Sequence, residues 1–110
     1  MSDAPDLVPA VIWCPFPDHA TARSSAKSLL DEGLVACANI LPELLSIFAW
    51  QGSIDEAEEV GVLFKTNCAR MEAAIARLDD LHPYEQPAIV GWRCDAAAEP
   101  TRTWLAGLGA

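Results

Sequence analysis

No stretch of this 110-residue chain approaches the ~18 consecutive apolar residues that a membrane-spanning helix needs. Basic residues are scarce: seven Lys and Arg stand against sixteen Asp and Glu, for a formal net charge of −9. A phosphate-backbone binder needs a basic face, so this balance argues against nucleic acid as a partner. No Cys-x-x-Cys pair occurs among the four cysteines, and the two histidines, His19 and His82, lie far apart. Zinc-finger and redox spacings are therefore missing. So are a Gly-rich phosphate loop, an H-E-x-x-H pair, an EF-hand loop and a nucleophile with its base at a recognisable spacing. A non-enzymatic protein is expected. The first residues, Met1-Ser2-Asp3-Ala4-Pro5-Asp6, lack the basic start and apolar centre of a secretory signal. A cytoplasmic protein with reduced thiols is expected, and Cys68 and Cys94 read as small buried hydrophobes.

What is present is enough apolar material for one core. Hydrophobic residues make up 52% of the chain. A chain of this length is expected to form one domain over residues 1–110, with residues 1–7 as a loose tail. Its centre is a long hairpin, with an outgoing arm near residues 35–51, a turn at Gln51-Gly52-Ser53 and a return arm near residues 58–66. Val60, Val62 and Phe64 alternate with Gly61, Leu63 and Lys65, the period of a half-buried strand. The outgoing arm carries Ile40, Leu41, Leu44, Leu45, Ile47, Phe48 and Trp50 on both faces, and Pro42 predicts a bulge or an edge position. Two or three helices in a small domain cannot cover both faces, so the surplus apolar surface predicts a partner, most simply a second copy.

Around the hairpin, residues 8–14 form an apolar run closed by Pro15 and Pro17, a buried strand. Asp18 is an N-cap for a helix with Ala22, Ala26, Leu29, Leu30 and Leu34 on one face and Gly33 at its end. Ser24 and Ser25 read as surface. Asn67 caps a second helix, faced by Met71, Ala74, Ile75, Leu78 and Leu81 and stopped at His82-Pro83. Residues 88–93 read as a strand, and Pro100 opens a short last helix bearing Trp104, Leu105 and Leu108. The order β-α-β-β-α-β-α predicts an α+β fold: a ferredoxin-like split β-α-β sandwich with a long central hairpin and an extra C-terminal helix.

The densest polar cluster is Leu81-His82-Pro83-Tyr84-Glu85-Gln86-Pro87. Two prolines stiffen it, so His82, Tyr84 and Glu85 are held in place. These side chains suit metal ligation, acid–base work or hydrogen bonding to a small ligand. The plainer alternative is a rigid connector in which His82 caps helix carbonyls. Lys65 reads either as a contact for an anionic ligand or as an edge lysine reaching to solvent.

Five segments in order carry a family likeness. They are Cys14-Pro15-Phe16-Pro17-Asp18-His19-Ala20-Thr21-Ala22, Leu34-Val35-Ala36-Cys37-Ala38-Asn39-Ile40-Leu41-Pro42, Ser46-Ile47-Phe48-Ala49-Trp50-Gln51-Gly52-Ser53-Ile54, Lys65-Thr66, and His82-Pro83-Tyr84-Glu85 with Pro87. Between about Val11 and Leu108 the chain resembles the divalent-cation tolerance proteins of the CutA family. The resemblance implies a homotrimer with the hairpins at its centre, a role in tolerance of copper and other divalent cations, and direct metal binding with no obligatory cofactor. His19 stands where an acid is common in that family, and Phe48 where Tyr is usual. The candidate metal ligands are Cys14 and His82, supported by Glu85 and Tyr84. Imidazole and thiolate suit Cu(II) or zinc better than magnesium or calcium. Cys14 and His82 are expected at different edges of one subunit. The architecture is also similar to that of PII signalling proteins. The alternative reading is therefore a signalling module that binds a small anionic metabolite at intersubunit clefts, with Trp50, Lys65 and Tyr84 lining them.

Overall fold

The computed structural model describes residues 7–109, so all but the last residue of the tail expected over residues 1–7 lies outside the described residues. The elements run β1 (Pro9–Phe16), α1 (His19–Asp31), β2 (Cys37–Trp50), β3 (Ser53–Asn67), α2 (Cys68–Leu81), β4 (Val90–Arg93) and α3 (Glu99–Ala106). The four strands pair antiparallel in the order β2-β3-β1-β4. With the first two helices on one face, this is the expected split β-α-β sandwich.

Local chemistry accounts for the element ends. Asp18 Oδ1 accepts the Thr21 N–H at 2.8 Å and so starts α1. At its other end Gly33 N–H donates to Leu30 O at 3.1 Å and Leu34 N–H to Leu29 O at 3.0 Å, a Schellman close. Asn67 does two jobs. Its Oδ1 accepts the Arg70 N–H at 3.1 Å, capping α2, while its Nδ2 donates to Leu105 O in α3 at 2.8 Å. Arg70 adds a second tie, Nη2 to Gly109 O at 3.1 Å.

The core lies between the sheet and the first two helices. Ile12, Cys14 and Phe16 of β1 and Val60, Val62 and Phe64 of β3 pack against Ala22, Ala26 and Leu29 of α1 and Ala74 and Leu78 of α2. The buried stripe of α1 runs Ala22, Ser25, Ala26, Leu29, at helical positions i, i+3, i+4 and i+7. Ser25 is therefore buried, not a surface residue, and Leu30, one residue off the stripe, is 42% exposed. Cys68 and Cys94 are half-buried rather than buried. They flank the start of β1, their N–H groups donating to Val8 O and Pro9 O.

The hairpin is longer than the sheet. β1 pairs with β3 only as far as Phe16 opposite Val60, whereas β2 stays with β3 out to Trp50 opposite Ser53. The return arm thus begins five residues earlier than expected, at Ser53 rather than 58, and β1 runs on through Pro15 to Phe16. At the tip Gln51 (φ 49°) and Gly52 (φ 83°) are both left-handed, the two-residue turn that matches strand twist. The expected irregularity at Pro42 is a bulge between Leu41 and Leu44. Beyond it a two-stranded ribbon projects with apolar residues on both faces. Leu45 and Ile47 are each 64% exposed and Ile54 is 79% exposed.

Gly61 marks the root of this ribbon. A Cβ there would run into the Trp13 ring and come within 2.7 Å of Leu44 Cδ1. We expect Gly61→Ala to cost about 1–3 kcal/mol, the range for overpacking. Urea unfolding of the variant and parent measures this, and identical midpoints would show that Trp13 moves aside without loss.

Candidate functional site

The connector between α2 and β4 docks on the end of β1. Pro83 forces His82 into extended backbone (φ −68°, ψ 138°) and ends α2 there. The backbone N–H of His82 donates to Leu78 O at 2.9 Å. Its side chain turns inward and is 7% exposed. The imidazole stacks on Phe16, with ring centroids 4.5 Å apart and planes 20° apart, and tilts against Tyr84 at 4.8 Å.

Both ring nitrogens are in use. Nε2 lies 2.7 Å from Pro15 O, and the Tyr84 N–H donates to Nδ1 at 3.1 Å. A carbonyl only accepts and a peptide N–H only donates, so the ring is neutral with its proton on Nε2. His82 does not cap helix carbonyls through its side chain. It ties the connector to β1.

Cys14 lies closer to His82 than its sequence separation suggests. Its Sγ is 3.7 Å from the same Pro15 carbonyl oxygen. The expectation that Cys14 and His82 sit at different edges is thereby corrected: the end of β1 and the end of α2 meet. Burial, and secondarily the charge of Glu59, push the Cys14 thiol up to about 12 from an ordinary 9.0. Glu59 also accepts the Tyr84 hydroxyl at 2.8 Å through Oε2. Burial first, then this bond and the charges of Glu59 and Asp18, raise the Tyr84 phenol to about 12. A thiol kept protonated beside an imidazole with both nitrogens spent is not an activated nucleophile pair.

The other candidate residues lie elsewhere. Glu85 is exposed on the connector and makes no polar contact with a described residue. No group of three or more His, Cys, Asp or Glu side chains is poised for a cation among the described residues. Trp50 is at the hairpin tip, Lys65 lies opposite Val11 and Cys37 on the sheet, and Tyr84 is at the ribbon root. Within one chain these three do not form a cleft.

The profile described as "CutA1 divalent ion tolerance protein" matches residues 10–107. The chain belongs to the CutA divalent-cation tolerance family. A divalent-cation tolerance protein CutA of Pectobacterium atrosepticum is 34% identical over 96% of both chains. The crystal structure of CutA from Xylella fastidiosa superposes with a TM-score of 0.85 at 34% identity, covering 88% of this chain and 93% of that one. A structure from Archaeoglobus fulgidus, titled a periplasmic divalent cation tolerance protein CutA, gives a TM-score of 0.84 at 27% identity over 88% and 94% of the two chains.

Two members of the CutA connector's surroundings were missed from the sequence. Phe16 carried a signal, since it alternates with Cys14 on the inner face of β1. Glu59 carried none, because only the fold places it under Tyr84.

These surroundings set an alkaline limit and a pattern of thiol reactivity. The unfolded chain releases the Cys14 proton near 9.0, and the folded chain holds it to about 12. The raised value stabilises the fold fully below pH 9, and that contribution is lost as pH rises toward 12. Iodoacetamide at pH 8 should alkylate the half-buried Cys37 and Cys68 in the native protein and spare Cys14 until denaturant is added. Peptide mass spectrometry reads the pattern, and prompt native labelling of Cys14 would refute its burial.

Proposed function

We propose that this CutA-family protein is a non-enzymatic, homotrimeric binder of divalent cations, Cu(II) foremost, and that His82 and Cys14 supply its metal site. The observation that carries the reading is the convergence of His82 Nε2 and Cys14 Sγ on the carbonyl of Pro15. Imidazole nitrogen suits Cu(II), and a thiolate adds affinity for softer ions. The cation must compete for these groups. At Nδ1 it displaces the Tyr84 N–H, and at Nε2 or Sγ it displaces a proton, so binding weakens as pH falls. Glu85, on the same connector, is available as an outer ligand once the connector moves.

The trimer reading rests on the ribbon. Phe48, Trp50 and Ile54 are among its exposed apolar residues, and β2 is an unpaired sheet edge. Covering such an edge with further copies removes both liabilities. Four free cysteines suit a reducing cytoplasm.

Light scattering of the protein at micromolar concentration should give three times the 11.8 kDa chain mass. Trp50→Ala should lower the association without unfolding the subunit, since Trp50 is half exposed within one chain. A mass of one chain for the parent, or an unaltered assembly for the variant, would count against the ribbon as the interface.

His82→Ala should weaken Cu(II) by about tenfold or more, ~1.4 kcal/mol, with the assembly intact. Cys14→Ser should matter less for Cu(II) than for a thiol-seeking ion. Calorimetry of parent and variants decides this. A Cu(II) isotherm unchanged by His82→Ala removes His82 from the site.

A further inference from the structure

Between α2 and the approach to β4 lies an open groove of about 360 Å³. Glu72, Ile75, Ala76 and Asp79 form its helical wall, with Pro87 and Ile89 of the approach to β4 opposite. Its volume is within the range of small-ligand sites. Glu72 and Asp79 are seven positions apart on α2, so they share one face with their Cα atoms about 10.5 Å apart along the axis. Ile75 and Ala76 lie between them, at three and four residues from Glu72. The lining is thus an apolar trough with a negative charge at either end and no cationic side chain. The ion pair of Arg77 with Glu32 takes neither carboxylate.

We propose that this groove binds linear aliphatic diammonium cations, the class of the diamines and polyamines. One ammonium pairs with Glu72 and the other with Asp79, and the methylene chain lies on Ile75, Ile89 and Pro87. Carboxylate–ammonium pairs at an exposed surface contribute little singly. Selectivity comes from meeting both charges at once while removing the methylenes from water. A monoamine of equal length satisfies one end only, and a compact divalent metal ion gains nothing from the apolar floor. The groove shares no residue with the proposed metal site, so the two readings stand or fall separately.

Calorimetry with spermidine and 1,5-diaminopentane tests the site, with n-pentylamine as the single-charge control. Because the chain carries a net charge of −9, general counterion attraction must be separated from the groove. Two double variants with the same change in charge do this: Glu72→Gln with Asp79→Asn inside the groove, and Asp31→Asn with Asp80→Asn outside it. Thermal melts of both verify folding. We expect one saturable event per chain, weakened by about tenfold or more in the groove variant and by no more than about twofold in the control, with pentylamine the weaker ligand. Equal weakening in the two double variants, a pentylamine isotherm matching that of diaminopentane, or the absence of a saturable event would overturn the proposal.

Discussion

β3 is paired on both edges only between Gly61 and Lys65, and the rest of the structure follows from where that double pairing stops. Under the doubly paired half sit both core helices and nearly every fully buried side chain. Beyond Phe16 opposite Val60, β1 leaves, and β3 continues with β2 alone. The connector fills the step at this boundary. His82 packs on the last residue of β1, and Tyr84 reaches Glu59, the first residue of β3 beyond its pairing with β1. One short segment thus joins the rigid half of the sheet to the root of the ribbon.

That position gives His82 a structural role whatever else it binds. A buried imidazole with both nitrogens satisfied is a firm cross-link, because removing either partner leaves a polar atom unpaired. A cation that takes the lone pair of Nδ1 also takes the Tyr84 N–H from its acceptor. Occupancy of the ring would therefore be felt through Tyr84 and Glu59 at the ribbon root, and through Phe16 in the core.

Much of the fold was legible. Asp18 and Asn67 announced the two core helices because a capping side chain acts on its own neighbours, and Pro42 announced the bulge because a missing N–H is a local fact. The alternation of Val60, Val62 and Phe64 named the inner face of β3. Less legible was whatever depends on distance across the fold. Ser25 and Leu30 exchanged roles because burial on α1 is set by the angle of its docking, which periodicity gives only to within one residue. Pro15 looked like a strand end, yet β1 continues through it opposite Gly61. At the candidate site, the types His82, Tyr84 and Cys14 were visible. Their shared carbonyl was not, since nothing local in residues 14–16 records where α2 will end.

The double duty of Asn67 has a consequence for chemical ageing. Its amide oxygen serves α2 and its amide nitrogen serves α3, so the two ends of one functional group answer to different helices. Deamidation would leave an oxygen able to cap α2 and would replace the donor facing Leu105 O with a second acceptor. The first helix would keep its start, while the last would face a carboxylate across a buried gap. Loss of ammonia at this one residue would therefore unfasten the C-terminal helix selectively, leaving the sheet and its ribbon in place.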